Sequence, residues 1–71
     1  MSQEKIINRV NELLNSSNLQ QKQLAEALHT KSQTFNGYMR GHRPFPLEIV
    51  VGIADFFEVS VDYVLGRSDE R

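Results

Sequence analysis

The sequence predicts an all-α domain of five helices. Apolar residues recur every three or four positions along most of the chain, which is the period of a helix with one buried face. The apolar/polar alternation that marks a half-buried strand does not occur. The apolar pattern is interrupted by Asn and Ser residues at positions 15–18, by three residues without an apolar side chain at 29–31, and by a segment with two prolines at 42–46, and Ser60 starts the last segment. These four boundaries divide the chain into five helical segments.

The composition limits the chain to one small domain. A chain of 71 residues can bury only a small core. Cysteine is absent, so disulfides and thiolate metal sites are excluded, which fits a reducing cytoplasm. No apolar run approaches the ~20 residues of a membrane span, and the first residues do not have the form of a signal peptide. We expect a cytoplasmic domain over residues 1–66, followed by a short, frayed polar tail over residues 67–71.

The first helix is predicted to begin at Ser2, which can cap its N-terminus, and to end in the Asn/Ser run at residues 15–18. The residues of its predicted buried face are Ile6, Ile7, Val10, Leu13 and Leu14.

Two short helices joined by a tight turn are predicted next. The second helix covers about residues 20–28, and its apolar face is formed by Leu24, Ala25 and Leu28. The third covers about residues 32–40, and its apolar face is formed by Phe35, Tyr38 and Met39. Gly41 can end the third helix in the left-handed conformation.

The fourth and fifth helices follow two prolines. Pro44 and Pro46 exclude a helix before them, and Pro46 can open the fourth helix. The predicted buried stripe of that helix is Leu47, Val50, Ile53, Ala54 and Phe57. Ser60 is expected to cap the fifth helix, and Gly66 to end it.

The polar side of the third helix suggests contact with DNA. Two short helices with a tight turn and a polar-faced second helix make a helix-turn-helix arrangement. Ser32, Gln33 and Asn36 lie on the outward side, where short polar side chains can pair with base edges in a major groove. Thr34 can add a methyl or hydroxyl contact at the groove edge. The alternative for each is an ordinary exposed helix residue.

The distribution of charge supports the same surface. The whole chain has a net charge of −1, but residues 20–43 hold four basic residues against Glu26, a net charge of +3, and residues 44–71 have −4. The residues that flank the third helix and fit phosphate contacts are Lys31, Arg40, His42 and Arg43. Gln21 can meet a phosphate at the N-terminus of the second helix. Alternatives stay open: Arg40 can pair with a carboxylate of the fold, His42 can be a loop residue, and Gln21 a solvated amide.

The chain from residue 19 to residue 66 resembles the helix-turn-helix domain of the Cro and phage-repressor type, also called XRE-type. The resemblance rests on the joint spacing of three motifs: Leu19-x-Gln21-x-x-Leu24-Ala25-Glu26-x-Leu28, Phe35-x-x-Tyr38-x-Arg40-Gly41, and Leu47-x-x-Val50-x-x-Ile53-Ala54-x-x-Phe57-x-Val59-Ser60-Val61-Asp62-x-x-Leu65-Gly66. It implies a five-helix, lambda-repressor-like fold whose helix-turn-helix is formed by helices two and three. It also implies a transcriptional regulator that binds a double-stranded DNA operator, similar to small phage or plasmid regulators, working as a homodimer or as a heterodimer with a related regulator.

The resemblance assigns positions within the site. Gln21 matches a glutamine that binds the DNA backbone, and the base-reading positions fall on Ser32, Gln33, Asn36 and Gly37. Gly37 has no side chain to offer. The family commonly has glycine where His29 and Glu58 stand, and a capping hydroxyl where Lys31 stands, which leaves Ser32 or Thr30 as the expected cap of the third helix.

A predicted partner surface lies on the C-terminal half. Ile49 and Phe56 are seven residues apart and lie about 100° round the fourth helix from its predicted buried stripe. Together with Phe45 and Tyr63 they are predicted to form an exposed apolar patch for a dimer or partner interface. The alternative is that these four residues complete the small core of a monomer.

A second function class stays open beside DNA binding. The acidic, apolar-rich C-terminal half and the vacant position at Gly37 also fit a protein-binding module of the same fold, of the anti-repressor or antitoxin kind. Two histidines thirteen positions apart, no cysteine and no Gly-rich phosphate loop provide no set of groups for catalysis or for binding a metal. We therefore expect no enzyme activity, no cofactor and no small-molecule ligand.

Overall fold

Five helices and their connections make up residues 3–71, the part of the chain that the computed structural model describes. They are α1 (Gln3–Ser16), α2 (Gln21–Ala27), α3 (Ser32–Met39), α4 (Leu47–Phe57) and α5 (Val61–Val64). Within these residues no strand occurs, so the predicted all-α, five-helix fold is confirmed. Ser2, the predicted cap of α1, lies outside the described residues. No helix of residues 3–71 has the length and hydropathy needed to cross a membrane.

The core draws on every helix. α2 packs on α3, and α5 packs on both α1 and α4. The largest fully buried side chains come from all five helices: Ile6, Val10 and Leu13 of α1, Leu24 of α2, Phe35 of α3, Ile53 of α4 and Val64 of α5. Burying one such side chain stabilises the fold by about 1.5–3 kcal/mol. Helices of four to fourteen residues are marginal alone, so this shared core is what holds them in place.

All five helices end in the same hydrogen-bonded turn. After α3, the N–H of Gly41 donates to Tyr38 O at 3.1 Å and the N–H of His42 donates to Gly37 O at 2.9 Å, which is a Schellman motif. Such a motif places one residue in the left-handed region, and here these residues are Asn18, His29, Gly41, Glu58 and Gly66. The predicted terminators Gly41 and Gly66 are confirmed. His29 and Glu58 adopt a conformation that is strained for a residue with a side chain.

The helix N-termini are capped unequally. Ser60 Oγ accepts from Tyr63 N–H at 3.0 Å, which confirms the predicted cap of α5. At α2, Gln23 Oε1 accepts from Gln20 N–H at 2.8 Å. At α3 the cap position is Lys31, which makes no side-chain cap bond, and the Thr30 hydroxyl donates back to Leu28 O. The expectation that Ser32 or Thr30 caps α3 is therefore wrong.

Two members of the predicted exposed patch are buried instead. Phe45 is 7% exposed because the loop after α3 folds over that helix, and its ring centroid lies 5.5 Å from that of Tyr38. Its N–H donates to the Gln3 side chain at 2.8 Å. Tyr63 is 5% exposed and packs against Arg9. For Phe45 and Tyr63 the prediction of exposure was wrong, and the alternative of a core within the monomer is correct.

The first turn of α4 and the end of the chain also depart from expectation. Leu47, predicted to be buried, is 71% exposed, although Ala54 on the same side of α4 is buried. Leu47 is the first residue of α4 and remains uncovered, whereas Val50 in the same turn is buried. The tail of residues 67–71 is not frayed in the structure: Ser60 N–H donates to Arg71 O at 2.8 Å, and Arg9 Nη2 donates to Ser68 O at 3.2 Å.

Candidate nucleic-acid interface

The two sides of α3 divide cleanly between core and solvent. Phe35, Tyr38 and Met39 are buried, as the apolar spacing predicts. The rings of Phe35 and Tyr38 both pack against the Phe45 ring of the following loop, with centroid distances of 6.3 Å and 5.5 Å, and their burial in the core fixes the rotation of α3 about its axis. That rotation leaves Ser32, Gln33 and Asn36 exposed and Thr34 half-buried at the edge of the core.

An open groove separates the start of α2 from the outer face of α3. Its volume is about 500 Å³. Gln20, Gln21 and Lys22 form the α2 side, and Ser32, Gln33 and Asn36 form the α3 side. The structure thus places the predicted phosphate contact Gln21 in one groove with three of the four predicted base-contacting residues.

A second, smaller cleft lies at the other end of α3. Its volume is about 310 Å³, and it is lined by Gln33, Thr34, Gly37, His42 and Arg43. The Schellman turn after α3 holds the backbone of His42 beside Gly37. Gln33 lines both openings, so it lies between the two groups of residues.

The cations around α3 are free to bind an external anion. The salt bridges within residues 3–71 both belong to Arg9, which pairs with Glu12 and Asp69. Lys22, Lys31, Arg40 and Arg43 are exposed and have no carboxylate within ion-pair distance. The alternative that Arg40 pairs with a carboxylate of the fold is therefore not observed.

The proposed base-contacting side chains are equally free. The hydrogen bonds within residues 3–71 do not involve the side chains of Ser32, Gln33 or Asn36. Because their donors and acceptors do not hold the fold together, they are available to a ligand.

Two residues belong to this surface in addition to those assigned from the sequence. Gln20 and Lys22 line the larger groove, whereas Gly37, which the resemblance already assigned to a base-reading position, lines the smaller cleft. Lys22 contributed to the positive charge of residues 20–43, which was the signal available for it. Gln20 is adjacent to Gln21, but only the packing of α2 on α3 shows that its side chain borders the groove.

The exposed apolar side chains do not coincide with the predicted patch. Among the described residues, the large hydrophobics that remain exposed are Leu47, Val51 and Phe56, and all three lie on α4. Ile49 is half-buried and packs against the core. Of the four residues predicted for a partner surface, Phe56 alone is exposed, at 43%.

Comparison with known proteins gives a consistent set of similarities. A family model described as helix-turn-helix matches residues 10–64. The uncharacterized HTH-type transcriptional regulator YobD of Bacillus subtilis (strain 168) is 34% identical over 62 residues, covering 87% of this chain and 55% of that protein. The HTH-type transcriptional regulator AnsR of the same organism is 31% identical over 65 residues, covering 92% of this chain and 56% of that protein. The chain thus spans about half the length of these curated relatives. No solved structure gives a significant match.

Proposed function

We propose that this chain, which belongs to the helix-turn-helix family, binds duplex DNA in a sequence-dependent way and regulates transcription. The observation that carries the proposal is the outer face of α3, where Ser32, Gln33 and Asn36 are exposed and make no hydrogen bond to the rest of the fold. An amide side chain there can pair with adenine through N6 and N7, and each good bidentate contact discriminates by ~1–3 kcal/mol. The names of the two similar proteins, both HTH-type transcriptional regulators, support the same function.

In the proposed complex α3 enters the major groove. Gln33 and Asn36 read base edges, Ser32 adds a hydroxyl contact, and Thr34 meets the groove edge. The phosphates are held on one flank by Gln21 and Lys31, and on the other flank by Arg40, His42 and Arg43. The phosphate contacts fix the position of the protein on the duplex and contribute little to sequence choice. No catalytic step is part of this function.

We further propose that two copies bind adjacent half-sites. Three exposed large hydrophobics on one helix support a partner surface on α4. Leu47 and Val51 are one turn apart and share one edge of the exposed side, whereas Phe56 lies about 140° from Val51. The edge formed by Leu47 and Val51 is the proposed interface, either with a second copy or with a related regulator.

The test is a binding measurement that needs no prior operator. Fluorescence anisotropy with random-sequence duplex at low salt should show binding that weakens steeply as salt rises, since counterion release drives non-specific affinity. Selection from a randomised duplex pool should then yield a consensus sequence. Salt-insensitive binding, or a pool without enrichment after repeated rounds, would contradict the proposed function.

A further inference from the structure

Gly37 differs from the other glycines of the chain, because the fold gives no reason for a glycine there. Gly41 and Gly66 have φ values of 79° and 77°, a conformation that other residues rarely adopt. At Gly52 an added Cβ would lie 3.0 Å from Leu28 Cδ2. Gly37 is helical within α3, and an added Cβ would meet nothing within 4 Å. Since glycine weakens a helix relative to alanine, the fold alone favours a larger residue at this position.

The open space at Gly37 is the floor of the smaller cleft on α3. Gly37 follows Gln33 by one helical turn, so both lie on the outward side of α3. The walls are formed by Gln33 and Thr34 of α3 and by His42 and Arg43 of the loop. The bond from His42 N–H to Gly37 O, 2.9 Å long, ties that loop to the floor.

The lining of this cleft suits an anion. Arg43 supplies a guanidinium, His42 an imidazole, Thr34 a hydroxyl and Gln33 an amide N–H group, all of which can donate to oxygen. None of the residues that line the cleft carries a carboxylate. The carbonyls at the end of α3 would repel an anion, but those of Gly37 and Tyr38 already accept from His42 and Gly41.

We propose, building on the DNA-binding function above, that the cleft seats a phosphodiester group of the DNA strand that borders the major groove. Gly37 permits this binding, because the absence of a side chain lets the DNA strand contact the helix backbone. His42, Arg43 and Thr34 then surround the phosphate, and Gln33 is held at the boundary between backbone contact and base contact. In this arrangement Gly37, the base-reading position that has no side chain, contributes to phosphate binding instead.

A pair of variants separates this role from a structural one. Gly37→Ala and Gly37→Leu should both raise the midpoint of thermal unfolding, because both residues favour a helix more than glycine does. The Gly37→Leu protein should bind the selected operator at least roughly tenfold more weakly, since the lost contacts are charge-assisted hydrogen bonds. Its salt slope should also fall by about one phosphate contact. Asn11→Leu, at an exposed position of α1 away from the cleft, is the control and should leave operator affinity unchanged.

The occupant of the cleft is tested on the DNA side. A set of operators should be made, each with one neutral methylphosphonate at a different backbone position. At one position the modification should weaken binding by the wild-type protein and leave binding by Gly37→Leu unchanged. Replacing thymines by deoxyuracil should not reproduce this effect. If deoxyuracil does reproduce it, the cleft takes a thymine methyl group and the phosphate assignment is overturned. Equal affinity of Gly37→Leu and wild type would overturn the inference alone, whereas a wild type that binds no duplex would overturn the proposed function and this inference together.

Discussion

The Arg9 guanidinium lies over the Tyr63 ring, 3.9 Å from its centroid, while Arg9 Nε donates to the backbone oxygen of Tyr63 at 2.8 Å. One arginine of α1 thus holds both the ring and the backbone of α5. The same side chain donates to Ser68 O, so it also fixes the segment after α5. Partial burial lowers the pKa of Arg9, but Asp69, Tyr63 and Glu12 together raise it above its ordinary value, so the charge persists over the pH range in which the protein is folded.

The first prediction concerns this arginine. Arg9→Ala should lower the free energy of unfolding by about 2–3 kcal/mol, because it removes charge-assisted bonds to two partly buried carbonyl groups and a cation–π contact. Since a raised arginine pKa gives stability that is lost only at strongly alkaline pH, the loss should be equal at mildly acidic and mildly alkaline pH. Urea unfolding followed by circular dichroism, carried out at both pH values, measures this loss of stability. Arg9→Lys keeps the charge but lacks the planar guanidinium, so its free energy of unfolding should lie between those of Arg9→Ala and the wild type. A change within experimental error for Arg9→Ala would show that the contact adds no stability.

The second prediction concerns the left-handed residues that end α2 and α4. His29→Gly and Glu58→Gly should each raise the free energy of unfolding by ~0.5–1 kcal/mol, because glycine relieves the strain of a positive φ and loses part of that gain to chain entropy. Asn18→Gly is the matched control: asparagine tolerates the same conformation, so little change is expected there. Destabilisation by Glu58→Gly would mean that the Glu58 side chain contributes more than its backbone strain costs.

The third prediction concerns the phosphate contacts. Lys31→Ala and Arg43→Ala should each weaken binding to all duplexes alike and reduce the slope of log affinity against log salt by about 0.9. Arg67→Ala removes one positive charge from an exposed residue outside the segment of residues 20–43, and it should leave the slope unchanged. Fluorescence anisotropy across a salt series gives all three slopes. Identical slopes for wild type, Lys31→Ala and Arg43→Ala would exclude both residues from the footprint.

The fourth prediction concerns base reading. Gln33→Ala should cost ~1–3 kcal/mol of binding free energy at one or two operator positions, while affinity for random duplex stays nearly constant. Competition with operators mutated at one base pair at a time locates those positions. Asn11→Ala, an exposed amide on α1, should match the wild type at every position. A loss spread evenly over all sequences would assign Gln33 to the backbone instead.

The fifth prediction concerns assembly through α4. Leu47→Glu should abolish cooperative binding to paired half-sites and leave helical content intact, because Leu47 is 71% exposed and its replacement disturbs no core. Self-association should strengthen with salt, since Glu48 and Asp55 lie on the exposed side of α4 and repel the same residues of a second copy. Sedimentation at rising protein concentration measures the association. If Phe56→Glu blocks it and Leu47→Glu does not, the interface lies on the opposite edge of α4.

Helix periodicity and helix-ending residues are local properties, so the features that depend on them could be predicted from the sequence. The spacing of Phe35, Tyr38 and Met39 identified the inner face of α3 and, by exclusion, its outer polar face. Ser60 identified the start of α5, and Gly41 and Gly66 identified two helix ends, because capping bonds and left-handed turns involve only near neighbours along the chain.

Which apolar residues are covered depends on the tertiary structure, because the side chains that cover them belong to other elements of the fold. Phe45 is buried by α3 and Tyr63 by Arg9 of α1, whereas Leu47 remains exposed although Val50, in the same turn of α4, is buried. The lining of the candidate nucleic-acid interface also depends on tertiary packing. The packing of α2 on α3 brings Gln20 and Lys22 to the groove, and the fold leaves open space where Gly37 lacks a side chain.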